Sequence, residues 1–448
     1  MKKSPYIVVL FIILALALVY ELRPFFQSGY PYFHTTLFSS LCYNVIFTTA
    51  CLGGACAYWF LLPIRKQELF VTTIVGILLD GFFINYKLTH GMIFDPVEDH
   101  VFCIVDIGPG LLIAAAAAIL WRAFQAYRGQ ELEQMKKALE VLSLAIAMPI
   151  VLSLGIIEFD PYVYDPHCYA LDSLWGVQAS FIITKIIRGS LPLCLFMKLA
   201  YFYLSFYMII TQILIYKDNE HLGLNHSGRL IPALLFIFIG IFGTFLYKFF
   251  PVVGVEIYCG LNSFPNGPWP AANMNPVPIE APSFLPHNGM PSLHMAWILA
   301  VYYSLYRFYK PKPYYKYIAL ILIVLTALSA FSEGCHYLID LIIAIPFTLA
   351  ILAFTMVEAP RKWRLVSAFF GTIATMGWLC LFKYSITTAL RMPTLTLVLL
   401  VLTDIVSIYL ANVMCQKAEK NQQLPPSQAK LFEVEGNSQT SSTPSLKV

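Results

Sequence analysis

The sequence predicts an all-α protein, a polytopic membrane helix bundle of about twelve spans. Three observations predict it. Hydrophobic residues make up 58% of the 448-residue chain and charged residues only 12%, where soluble domains carry roughly 25%. The mean hydropathy is +0.70. The apolar residues also fall into runs of about 20, the length with which a helix crosses a bilayer. Helices are the natural answer in lipid because they satisfy their own backbone hydrogen bonds. The formal net charge of +4 is small and suggests no nucleic-acid partner; its distribution matters more than its sum. The ten cysteines show no CxxC or Cys/His metal spacing.

The first run, Tyr6 to Tyr20 behind Met1-Lys2-Lys3, has the charge and apolarity of a signal peptide. No small-residue cleavage site follows, so it reads as a retained first span. Runs near 41–62, 69–86, 101–121 and 138–157 supply the next four. The stretch 179–193 is apolar but holds Lys185, Arg188 and Pro192, and reads as an interfacial or re-entrant helix leading into a sixth span near 194–216. Runs near 230–250, 292–309, 317–334, 338–356, 365–383 and 394–414 complete the set. After Cys415 the chain turns polar, and 415–448 is expected to be a disordered cytoplasmic tail.

Basic residues set the orientation. With the N-terminus inside, the inner connections hold Arg65, Lys66, Arg122, Arg128, Lys136, Lys137, Arg361, Lys362 and Arg364, among others. The outer loops collect acids instead: Asp95, Glu98, Asp99, Glu158, Asp160, Asp165 and Asp172. Those of the 158–172 loop read as solvated surface. Both termini are then cytoplasmic. Cys168, Cys259 and Cys335 fall outside, where a Cys168–Cys259 disulfide is open to the chain. The outer loop from Pro251 to Pro291 is rich in proline and aromatic residues. It reads either as an ordered cover or as a passive connection anchored by Trp269.

Chemistry concentrates in two stretches at this outer face. One is Met290-Pro291-Ser292-Leu293-His294; the other is His336-Tyr337-Leu338-Ile339-Asp340. Ionisable groups at the mouths of apolar segments are costly and call for a reason. His336 and Asp340, at i and i+4, share a helix face. The carboxylate can hold one ring nitrogen and leave the other as a nucleophile; the alternative is a structural His–Asp pair. Ser292 suits a helix cap, and the first-turn N–H groups beyond it suit an anion beside His294. Asp80, Asp106 and Asp404 also fall in apolar runs, where they mark a transport path, or else hydrogen bonding between helices or placement near an interface.

The two stretches resemble motifs of the type 2 phosphatidic acid phosphatase superfamily, KxxxxxxRP, PSGH and SRxxxxxHxxxD. Pro291-Ser292-Leu293-His294 matches the second. Ser329, His336 and Asp340 match the third in spacing, with Ala330 in place of its arginine. The first is absent in its usual form; Lys248-Phe249-Phe250-Pro251 is the nearest candidate, with Lys185 and Arg188 as others. The PSLH form and the tyrosine after His336 look most like the inositol-phosphorylceramide synthase and sphingomyelin synthase branch.

The resemblance implies a six-helix catalytic core over 138–356, preceded by a four-span region over 1–137 and followed by two further spans over 357–414. It implies a lipid phosphotransferase, inositolphosphotransferase-like, or a lipid-phosphate or polyprenyl-phosphate phosphatase. The substrate is a phospholipid or lipid phosphate in the bilayer, with no cofactor and no metal. His336 would form a phosphohistidine, Asp340 would orient it, and His294 would protonate the leaving oxygen. Ser292 would bind phosphate, with Lys248 first and Arg188 second in place of the missing arginine. The site would open to the periplasm or exterior, or to an organelle lumen. Two other readings stand beside it: a twelve-span transporter or flippase, and a catalytically silent relative.

Overall fold

The computed structural model describes residues 45–89, 108–153, 162–221, 226–260, 264–267, 269–281, 288–308 and 314–423. The first expected span, Asp106, the acids Asp95 to Asp99, Glu158 and Asp160 lie outside them.

Four helices come first: α1 (Val45–Leu61), α2 (Lys66–Thr89), α3 (Pro109–Arg128) and α4 (Leu132–Ser153). α1, α3 and α4 pack on one another, α2 packs on α3, and α1 and α4 also lie against the helices that follow. At the α1–α4 crossing Gly54 lies so near that a Cβ would clash with the Ala145 carbonyl oxygen. Only glycine lets these backbones approach so closely.

Asp80 of α2 is buried. Its carboxylate accepts the N–H groups of Gly108, Gly110 and Leu111 at 3.2, 2.6 and 3.3 Å. It caps α3, whose first N–H groups have no partner within the helix. That supports the hydrogen-bonding reading of this residue.

The central group follows. Short α5 (Asp165–Ser173) precedes α6 (Ala179–Arg188) and α7 (Leu191–Phe202). The last two are bent by 120° at Gly189–Ser190, as expected for an interfacial or re-entrant entry into a span. Then come α8 (Leu204–His221), α9 (His226–Phe249), the short α10 (Val255–Cys259), α11 (Leu293–Phe308), α12 (Tyr314–Ser332) and α13 (Leu338–Thr355). α13 is apolar and buried nearly all round, the mark of a central helix. α14 (Arg361–Tyr384), α15 (Ile386–Arg391) and α16 (Pro393–Gln423) finish the chain. α14 and α16 lean on α13 and turn Phe369, Ile373 and Ile405 outward. α16 continues past the boundary expected at 415.

Two antiparallel strand pairs organise the connections between helices. β1 (Tyr162–Val163) pairs with β3 (Ile279–Glu280), and β2 (Pro251–Val252) with β4 (Asn288–Gly289).

Helices occupy the second to twelfth expected spans, but the number twelve is not confirmed. Among the described residues four helices are long and apolar enough to cross a membrane, five if the bent α6–α7 pair is one span. Within α8, α9, α11 and α12 the apolar stretches among the described residues run to 10–17 residues. A hydropathy run also counts apolar residues that the fold places in caps and turns.

Candidate active site

β2 and β4 bring the end of α9 beside the start of α11. The Met290 N–H donates to the Phe250 carbonyl at 3.2 Å, and the Tyr247 hydroxyl accepts the Leu293 N–H at 3.1 Å. Ser292 then caps α11, its Oγ accepting the Met295 N–H at 3.4 Å. The Ser292 N–H donates across to the Asp340 carbonyl at 3.0 Å. This bond ties the two motif stretches together through their backbones. The expected anion cradle is therefore partly engaged: Leu293 and Met295 already direct their N–H groups at protein oxygens.

The second stretch begins where α12 stops. Gly334 takes a φ of +64° and carries the chain through a turn. L-residues with a side chain adopt this conformation only with strain. The chain then runs extended to Tyr337, the N-cap of α13. Asp340, in the first turn, accepts the Tyr337 N–H on Oδ2 at 3.0 Å. The same oxygen lies 3.5 Å from His336 Nδ1, an outer-limit contact and not a formed hydrogen bond.

The other nitrogen, Nε2, faces Ser292 Oγ at 3.4 Å and His294 Nδ1 at 3.4 Å. The two imidazole centroids are 5.5 Å apart at 66°. Tyr201 of α7 stacks on the His294 ring at 3.9 Å and 17°, which sets its plane. Ser292, His336 and Asp340 are fully buried and His294 nearly so. Four expected site residues, 42 positions apart at the histidines, thus meet in one cluster. The rings are in contact, so a phosphorus atom enters between them only if they part.

The remaining expected residues stand elsewhere. Lys248 is exposed in the last turn of α9; Tyr247 points inward, and successive helix residues diverge by about 100°. Arg188 forms a bidentate pair with Glu256 at 2.7 and 2.8 Å. Its Nε donates to the Ser332 carbonyl at 3.1 Å. Lys185 lines a cleft of about 540 Å³ with Phe181, Ile182, Ile186, Pro265 and Trp269. Trp269 packs edge-on against Phe181 there. Cys168 and Cys259 are free thiols, so the disulfide is not formed.

One reading is overturned. Asp165 and Asp172 are not solvated surface; both are buried, at 0% and 1% exposure. Asp165 accepts the Val253 and Gly254 N–H groups at 2.9 and 2.8 Å and the Tyr337 hydroxyl at 2.9 Å. Asp172 accepts the Leu338 and Ile339 N–H groups at 2.8 and 3.0 Å. Burial pushes Asp165 up to about 7 and Asp172 up to about 8, against the pull of these hydrogen bonds. Burial also lowers His167 to about 4.

A family model described as the PAP2 superfamily matches residues 167–354. The match runs from α5 to α13 and contains Ser292, His294, His336 and Asp340. It supports the superfamily, and with it a membrane enzyme of phosphatase or phosphotransferase type. α1–α4 and α14–α16 lie outside the PAP2 match. No curated protein and no solved structure matches the chain.

Proposed function

We propose that this chain transfers the phosphoryl group, or a phospho-headgroup, of a membrane lipid through a covalent phosphohistidine on His336. The observation that carries the reading is the buried line of Asp340, His336 and His294, with Ser292 beside it. The carboxylate faces Nδ1, which leaves the Nε2 lone pair for attack. Nε2 bonds to phosphorus as the phosphorus–oxygen bond to the leaving group breaks. His294, in its protonated form, gives that oxygen a proton. An acceptor hydroxyl then reverses the sequence, with His294 as base, and frees His336.

Water as acceptor makes the enzyme a phosphatase; a lipid or polyol hydroxyl makes it a transferase. The PSLH form, the tyrosine after His336 and the absence of the motif arginine favour transfer of the inositolphosphotransferase-like kind. Arg188 is the better candidate for the compensating cation than exposed Lys248. Its Nε touches the Ser332 backbone, two positions from Ala330.

Purified protein with a lipid labelled on phosphorus tests this. The expected result is an acid-labile phosphoenzyme, with turnover falling on the order of 10⁴-fold or more in His336→Ala. Label in an acceptor lipid marks the transferase; free phosphate marks the phosphatase. Full turnover by His336→Ala removes the proposed nucleophile.

A further inference from the structure

Helix α5 supplies no group to the reaction just described, yet the polar residues on one of its faces converge on the segment that carries His336. Asp165, Cys168 and Asp172 occupy positions i, i+3 and i+7, which fall on one side of a helix. The Tyr337 hydroxyl donates to Asp165 at 2.9 Å. The Cys168 thiol reaches Asp340 Oδ1 at 3.8 Å. The N–H groups of Leu338 and Ile339 donate to Asp172. All four residues after His336 are therefore held from α5. Asp165 also grips the turn at Val253–Gly254, and two residues after it the Glu256 N–H donates to the Gly334 carbonyl at 3.1 Å.

Both carboxylates are fully buried, and among the described residues neither has an ion-pair partner. Apolar side chains would join two helices at lower cost. What carboxylates add is direction: each aims two acceptors at named donors. Asp172 satisfies two of the N–H groups that the start of α13 leaves open. It thereby holds the first helical turn two residues from the proposed nucleophile.

We propose that α5 is a clamp and that Asp172, with the Asp165–Tyr337 pair, positions His336 against Asp340 and His294. The proposal rests on the phosphohistidine reading. Without the clamp the first turn of α13 frays and the ring leaves its line of attack. Misplacement of about 1 Å is enough to cost about 100-fold in rate.

The test compares wild type with Tyr337→Phe, Asp172→Asn, Asp172→Ala and His336→Ala, as full chains purified in lipid nanodiscs. Thermal midpoint, KM, kcat per folded molecule and the rate of phosphoenzyme formation are measured. Tyr337→Phe and Asp172→Asn are expected to stay folded with KM unchanged, while kcat and phosphoenzyme formation fall together by about 10- to 100-fold. Asp172→Ala falls further, because asparagine keeps one acceptor oxygen and alanine keeps none. If His336→Ala is inactive while Tyr337→Phe and Asp172→Asn turn over normally, the clamp is overturned and the reaction stands. Losses that only track loss of folded protein overturn the clamp as well. Normal turnover by His336→Ala ends both readings.

Discussion

Position 330 shows how a single side chain limits the chemistry available. Ala330 is fully buried among Tyr201, Phe331 and Leu341. The family motif has an arginine there, but this packing leaves no solvent for a guanidinium. Ala330→Arg is therefore expected to lower stability, by about 1–3 kcal/mol from overpacking alone, and not to raise turnover. Thermal melting and activity on the same preparation decide it; a more active, equally stable variant would show that the site accepts the cation. The site itself was half legible at this scale. Ser292, His294, His336 and Asp340 stand out because polar groups at apolar span ends need a reason. Asp165 and Asp172 did not stand out. Their partners are mainly backbone N–H groups, which any residue carries and no motif records. The spacing of Asp165, Cys168 and Asp172 was the one available signal.

At the scale of elements, caps and bends matter more than hydropathy. Asp80 joins α2 to the start of α3, so Asp80→Ala removes a cap from a buried helix end. The expected loss is about 1–2 kcal/mol of stability, with turnover per folded molecule unchanged. Loss of activity without loss of stability would instead return Asp80 to a transport path. The bend between α6 and α7 was legible, because Lys185, Arg188 and Pro192 interrupt an apolar run. The lengths of the individual helices were not. Hydropathy marks where lipid-compatible residues lie, whereas cap geometry decides where a helix starts and stops.

For the whole molecule, the buried acids predict how stability depends on pH. Asp165 and Asp172 have folded values raised from 3.8 to about 7 and about 8. Between those limits the folded chain binds more protons than the unfolded one, so stability falls as pH rises. The penalty is absent below the unfolded value, grows through the interval and levels off above about 8. The thermal midpoint is expected to be higher at about pH 5 than at about pH 8.5. Asp165→Asn and Asp172→Asn should each flatten that slope; a slope unchanged in both would place these acids in water.

The sequence by itself determined the helical membrane character and the four residues of the proposed site. Both are local properties, readable from the hydropathy of a run and the chemistry of five-residue stretches. Only the tertiary structure decided that His294 and His336 touch, that α5 turns buried carboxylates onto α13, and that Arg188 is held by Glu256. Each of these depends on which distant backbone and side-chain groups satisfy one another once water is excluded, and chain position does not encode that pairing.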